Sequence, residues 1–313
     1  MAIAKPKTFA SGAGLVWRRQ RVVWWIFVVC LFLSLLGVRG PVARVGEVLN
    51  HSLAAAPRLV QSFDISAIVE LTELPSHPLE FGNHATMASP LIFTIFMLFV
   101  TGGILATYYR DERLTAGMFF EAGGYHFWRF ARLFIYFLIA LIPIAILGAI
   151  ASKIYSSIDE RAISPLASVH FFEAAAVVIL FLLMCARLWF DMAQVMAVAN
   201  DEYRMHRALR LAARLVWRNF GSLFWLYLRI SVLAWVGFGV ALYIWMALLP
   251  PAAIWAATLL GQLMILYWIG TRLWQRASEV QWYRQFQAGI TSRAPVYAPE
   301  PVVPVASGAP SAT

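Results

Sequence analysis

The few residues in this sequence equipped for chemistry lie mostly inside apolar runs. Arg187 and Asp191 stand four positions apart, which puts both on one helix face. Arg229 interrupts a second apolar run. It sits ~12 Å along its helix from Gly221, at ~1.5 Å per residue. Ionisable groups inside a membrane are costly and mark partnered or functional positions. An acid between two arginines partly satisfies all three charges. The sequence therefore predicts an Arg187–Asp191–Arg229 cluster joining two helices, with a role in orienting them and transport as the alternative use. His170 and Glu173, one turn apart, have the chemistry of a proton relay or a weak metal site. Two ligands do not complete a metal site, however, and both residues reach the interface. His51, His77 and His84 lack ligand spacing, and Gln262 beside Gly261 is placed to hydrogen-bond across helices.

No P-loop, GxSxG or HExxH motif is present, and no pair of carboxylates faces a plausible cavity. The chain reads as non-enzymatic and without a cofactor. Cys30 and Cys185 fall inside apolar runs with neither CxxC nor zinc spacing, so they are read as lipid- or bundle-facing thiols.

The elements that must position these residues follow from composition. Hydrophobic residues make up 61% of 313 positions and charged residues 13%, too apolar for a soluble fold of this size. A hydrocarbon core of ~30 Å needs about 20 apolar residues per helix, with shorter spans tolerated. Six stretches qualify: 22–38, 90–109, 133–150, 171–190, 223–249 and 252–269. Pro250-Pro251 forces a tight hairpin between the last two. The expected fold is an all-α polytopic membrane bundle of about six helices. It comprises a cytoplasmic segment 1–21, a membrane domain 22–293, an outer helical loop 39–89 and a Pro/Ala-rich tail 294–313 with no periodic face. In the outer loop, helical spacing from Val45 to Phe63 and a cap at Asp64 predict a pair of surface helices. Val38-Arg39-Gly40-Pro41 is a poor cleavage site, so the first run is read as an uncleaved span.

Net charge is +9, from 25 Lys and Arg against 16 Asp and Glu, with no soluble basic domain to suit nucleic acid. With the N-terminus inside, 19 Lys and Arg fall on one side of the six runs, five on the other and one, Arg229, within. This asymmetry predicts both termini in the cytoplasm of a bacterial inner membrane. The expected partners are the bilayer and its anionic cytoplasmic headgroups, with a membrane protein or a second copy of the chain as further candidates.

Three segments before alternate runs look alike: Val16-Trp17-Arg18, Phe127-Trp128-Arg129 and Val216-Trp217-Arg218. Each is expected to anchor at the interface, Trp17, Trp128 and Trp217 at headgroup level and the arginines on phosphates. Together they suggest three hairpins in series. Before the third, Arg204, Arg207, Arg210, Arg214 and Arg218 form one stripe opposite Met205, Leu209, Ala212 and Val216. The expectation is a helix capped at Asp201, stopped at Gly221 and lying in the inner headgroup plane with its apolar face in lipid. Gly102-Gly103, Gly237 and Gly261 offer small faces for close packing, and Pro143 predicts a kink.

The segments Thr101–Ile104, Tyr125–Leu133 and Arg187–Asp191, with Phe119-Phe120, resemble uncharacterised bacterial six-span families. These are similar in turn to the membrane domain attached to some glycerophosphodiester phosphodiesterases. The resemblance implies topology alone, since such families have no established activity to carry over, and no appended catalytic domain is expected in this chain. Two functions remain open: a scaffold, assembly or lipid- and partner-interacting protein, or a small transporter or export permease.

Overall fold

The computed structural model describes residues 7–51, 84–111, 115–161, 166–250 and 253–291. Every regular element among them is helical. They are α1 (Lys7–Arg18), α2 (Gln20–His51), α3 (His84–Arg110), α4 (Ala116–Arg161), α5 (Leu166–Ala199), α6 (Met205–Arg218), α7 (Phe220–Tyr243) and α8 (Ile254–Thr291). A π-turn, Ile244–Leu248, extends α7, and the Ala253 N–H then donates to the Pro250 carbonyl over 2.9 Å to reverse the chain.

Five of these helices, α3, α4, α5, α7 and α8, are long and apolar enough to cross a membrane. The shorter apolar stretch Gln20–Leu35 belongs to α2. Along the middle of α4, α5 and α7 the apolar side chains point outward, among them Ile139, Ile142, Val177, Leu180, Trp235 and Val236. Apolar surface left in water forgoes ~25 cal/mol per Å². A continuous belt of it is consistent with a multi-pass integral membrane protein.

Packing is organised around three helices. α3, α5 and α8 contact one another, and α2, α4 and α7 lie against them, α2 on α3 and α8, α4 on α3 and α5, α7 on α8 and α5. The short amphipathic pieces close the arrangement cyclically. The first turns of α4 pack on α3, α6 packs on α5, and α1 packs on α8. Matching local geometry accompanies this order. Leu15-Val16-Trp17-Arg18-Arg19 and Leu215-Val216-Trp217-Arg218-Asn219 each end a helix, and a single residue breaks the chain before the next helix starts. The Arg19 N–H donates to Leu15 and Val16, the Asn219 N–H to Leu215 and Val216. In the second copy, α4 runs through without a break.

Several expectations need correction. Residues 39–51 do not form a separate surface helix but continue α2 through Gly40-Pro41. The remainder of the outer loop, 52–83, including the helix expected after Asp64, and the tail 294–313 lie outside the described residues. The stripe helix begins at Met205 rather than at an Asp201 cap, because Asp201 adopts a left-handed conformation (φ 46°) that cannot start it. Gly221 does not stop it either, since Asn219 makes the break and Gly221 falls inside α7. The apolar face of α6 lies on protein, not lipid: Met205, Ala208, Leu209, Ala212, Leu215 and Val216 are buried. The Trp189 indole of α5 donates to the Leu209 carbonyl over 2.9 Å.

Close approach requires glycine at two of these contacts. A Cβ at Gly103 would stand 2.6 Å from the Phe119 carbonyl oxygen. One at Gly12 would stand 2.1 Å from Ser278 Oγ and 3.0 Å from Ser278 Cα, where α1 meets α8. Gly14, two positions on, has no neighbour within 4 Å. Gly12→Val is expected to lower the thermal midpoint of the detergent-purified protein, overpacking costing ~1–3 kcal/mol. Gly14→Val in the same helix carries only the small propensity change. Equal midpoints for the two variants would mean that α1 does not seat on α8.

Candidate functional site

Polar chemistry concentrates where the three inner helices converge. Asp191 of α5 is buried, with its side chain only 5% exposed. Arg276 of α8 meets its Oδ1 at 3.0 Å and Arg272 meets its Oδ2 at 3.4 Å. The chain of contacts continues along α8: Arg272 Nη1 donates to Gln275 Oε1 (3.0 Å), and Gln275 Nε2 donates to Glu279 Oε1 (3.3 Å). Positions 272, 275, 276 and 279 fall on one face because a helix repeats every ~3.6 residues. Arg276 Nη1, Gln194 Oε1 and Glu279 Oε2 are buried without a hydrogen-bond partner.

A cavity of about 440 Å³ opens beside this seam. Arg187, Asp191, Gln194, Arg272 and Arg276 line it from α5 and α8. From α2, α3 and α4 come only apolar side chains and two threonines. Both threonine hydroxyls bond their own helix, Thr94 to Pro90 O and Thr101 to Met97 O. One side of the cavity is thus cationic and the other apolar.

The expected cluster is therefore rearranged. Arg187 and Asp191 share the cavity, but Arg229 is not with them. Its guanidinium lies 5.0 Å over the Trp225 ring of its own helix, where the cation–π contact occupies it. Asp191 takes its partners from α8 instead, because α8 and α5 are mutual neighbours at the centre. In the sequence Arg272 and Arg276 fall among the basic residues that follow the last apolar run. The missed signal was their spacing of four, the same as that of Arg187 and Asp191. Gln262, Arg229 and Glu173 do not line this cavity. The Gln262 carbonyl oxygen is buried without a partner, and Glu173 pairs at 3.5 Å with His170, both exposed. Among the described residues, no three His, Cys, Asp or Glu side chains come together as a metal site.

The Trp-Arg segments divide their labour. Trp17, Trp128 and Trp217 are 77%, 71% and 84% exposed. Arg129, expected on phosphates, is buried instead. It donates to Asp201 Oδ1 at 2.6 Å, with its guanidinium stacked on Tyr203 (3.6 Å) and Tyr125 (4.5 Å). The Tyr125 hydroxyl bonds both Asp201 and the Tyr203 hydroxyl. Asp111 takes the corresponding place after α3, also left-handed (φ 55°), within 4.0 Å of Arg18, Arg19 and Arg284. Each Asp begins an Asp-Glu pair, and each meets the arginine that follows a segment's Trp. Arg204, Arg207, Arg210, Arg214 and Arg218 remain exposed along α6, with Arg207 3.5 Å from Glu202.

With protein-family models, curated proteins and solved structures, the chain shows no match.

Two outcomes follow from this geometry. Asp191→Leu removes the ion-pair partner of two guanidiniums at the seam, so stability should fall by ~3–5 kcal/mol. Arg229→Gln loses only an exposed cation–π contact, ~1 kcal/mol or less. Denaturant melts of the purified variants compare them, and unchanged stability of Asp191→Leu would sink the seam. At the α4 latch, the hydrogen bond from Arg129 holds the Asp201 carboxyl below its usual range. A depressed native pKa means that its stabilisation is present above the unfolded value of ~3.9 and is lost as pH falls through the native value. The gap in thermal midpoint between the native chain and Asp201→Asn should thus be full near neutral pH and close only in acid, below about pH 4.

Proposed function

We propose that this chain is a six-span protein of a bacterial cytoplasmic membrane, with both termini in the cytoplasm, and that it is non-enzymatic. On this reading it works as a scaffold or assembly protein that grips anionic lipid or a partner at its cytoplasmic face. Residues 22–38, within α2, supply the first span. The resemblance to six-span families contributes topology alone.

One observation carries the reading. At a single end of the bundle, three indoles are presented outward beside arginines, and the stripe of α6 lies at that end with its apolar face already occupied. An exposed indole gains most at headgroup level, where its ring is apolar and its N–H wet. Exposed arginines there attract anionic headgroups, by ~1 kcal/mol each. The ratio of 19 Lys and Arg to five across the runs supports the same orientation.

The rival reading, a small transporter or export permease, draws on the charged cavity between the inner helices. It requires that cavity to become reachable from both sides of the bilayer.

Fluorescent-protein fusions at either terminus should both fluoresce, since this reporter matures only on the cytoplasmic side. Nitroxides at Trp17→Cys, Trp128→Cys and Trp217→Cys, with Cys30 and Cys185 replaced by Ala, should report headgroup depth in vesicles containing phosphatidylglycerol. A dark terminus refutes the topology, and nitroxides freely accessible to aqueous relaxant refute the anchoring.

A further inference from the structure

We propose that the cavity between α3, α5 and α8 is a binding site for one anionic phospholipid. Its phosphate would meet Arg187, Arg272 and Arg276, and its acyl chains would lie on the apolar walls of α3 and α4. This rests on the reading of the chain as a lipid-contacting membrane protein, but it concerns a different place from the exposed arginine stripe.

Charge is the first argument. Three guanidiniums line the cavity against the single carboxylate of Asp191. Glu279, one turn beyond Arg276 and outside the lining, brings the count only to three against two. The uncompensated guanidinium is that of Arg187, which is exposed within an apolar stretch of α5, and a cation in such a stretch is costly unless an anion meets it.

Unused hydrogen-bonding capacity is the second. Arg276 Nη1 is buried without a partner, and Arg187 makes no ion pair with any described residue although it lies in an apolar stretch of α5. Guanidinium forks match phosphate oxygens, and such charge-assisted bonds are the strong ones. Gln194 Oε1, also unpartnered, supplies an acceptor for a headgroup hydroxyl.

Shape is the third. The cavity lies within the ~300–1,000 Å³ range of small-molecule sites. A free phosphate would leave Phe93, Met97, Phe134 and Phe137 facing an empty space. An amphiphile meets both sides: a phosphate opposite α5 and α8, hydrocarbon against α2, α3 and α4.

The test uses the full-length protein, delipidated in a neutral detergent, with thermal midpoint and native mass spectrometry as readouts. The probes are dioctanoyl phosphatidylglycerol, dioctanoyl phosphatidylcholine and inorganic phosphate. Phosphatidylglycerol should bind as one retained copy and raise the midpoint, the zwitterionic lipid less, and inorganic phosphate should leave it unmoved. Arg187→Gln, which breaks no ion pair in the fold, should weaken that binding about tenfold or more, since a hydrogen bond to a charged group is worth at least that. Met97→Trp, which fills the apolar side, should abolish retention. A variant with Arg207, Arg210, Arg214 and Arg218 all changed to Gln should bind as the native chain does. If Arg187→Gln and Met97→Trp bind normally, the cavity site is refuted. If only the stripe variant loses the lipid, binding belongs to the surface, and the cavity site falls while the proposed function stands. An equal shift with inorganic phosphate would make this a simple anion site and overturn the lipid assignment.

Discussion

The packing of this protein turns on one buried carboxylate. Asp191 draws Arg272 and Arg276 of α8 to α5 in a region where neither sign of charge is stable alone. That pairing fixes how two of the three inner helices face each other. Since α3 contacts both, it sets the shape of the space left between them. The same pairing is incomplete. Asp191 and Glu279 together leave one of the three guanidiniums without a counter-charge, so the junction that orients the helices also creates a cationic cavity.

Around that junction the chain is solvated in two ways. The middles of α4, α5 and α7 expose Ile, Val, Leu and Trp and bury little against the protein. Without a hydrophobic drive between helices in lipid, contact there depends on small residues, as where Tyr267 packs over Gly237. The basic end is different. It buries Leu15, Tyr108, Phe130, Met192 and Val280, and polar ties bind the three inner helices. Tyr109 of α3 donates to Gln287 of α8, and Asn200, just past α5, donates to Tyr283 of α8. This end holds most of the buried apolar side chains, and the amphipathic helices α1 and α6 pack against it.

The Trp-Arg segments show how one short pattern carries two tasks. Helical geometry separates neighbouring side chains by ~100°, so a Trp facing outward leaves the next Arg turned toward the bundle's flank. Arg129 uses that direction to reach Asp201 and two tyrosine rings, while Trp128 stays exposed. Asp111 and Asp201 sit at matching helix ends, in the left-handed conformation that Asp tolerates better than most residues, and receive these arginines.

Helix content and the apolar runs were legible in the sequence, because membrane solvation acts on length and composition, which are local. The polar and apolar faces of α6 were legible too, since helical periodicity assigns sides without a partner. What covers a face is not local. Whether Met205 and Leu209 meet lipid or α5 was decided by packing, and so was the partner of Asp191. Arg187 and Asp191 share a helix, so their kinship shows in spacing alone. Arg272 and Arg276 lie some eighty residues further along the chain. Depth along separate helices suggested Arg229, but neighbourhood within the bundle chose α8. Helix order around an axis is a tertiary property, and it alone brought the charges together.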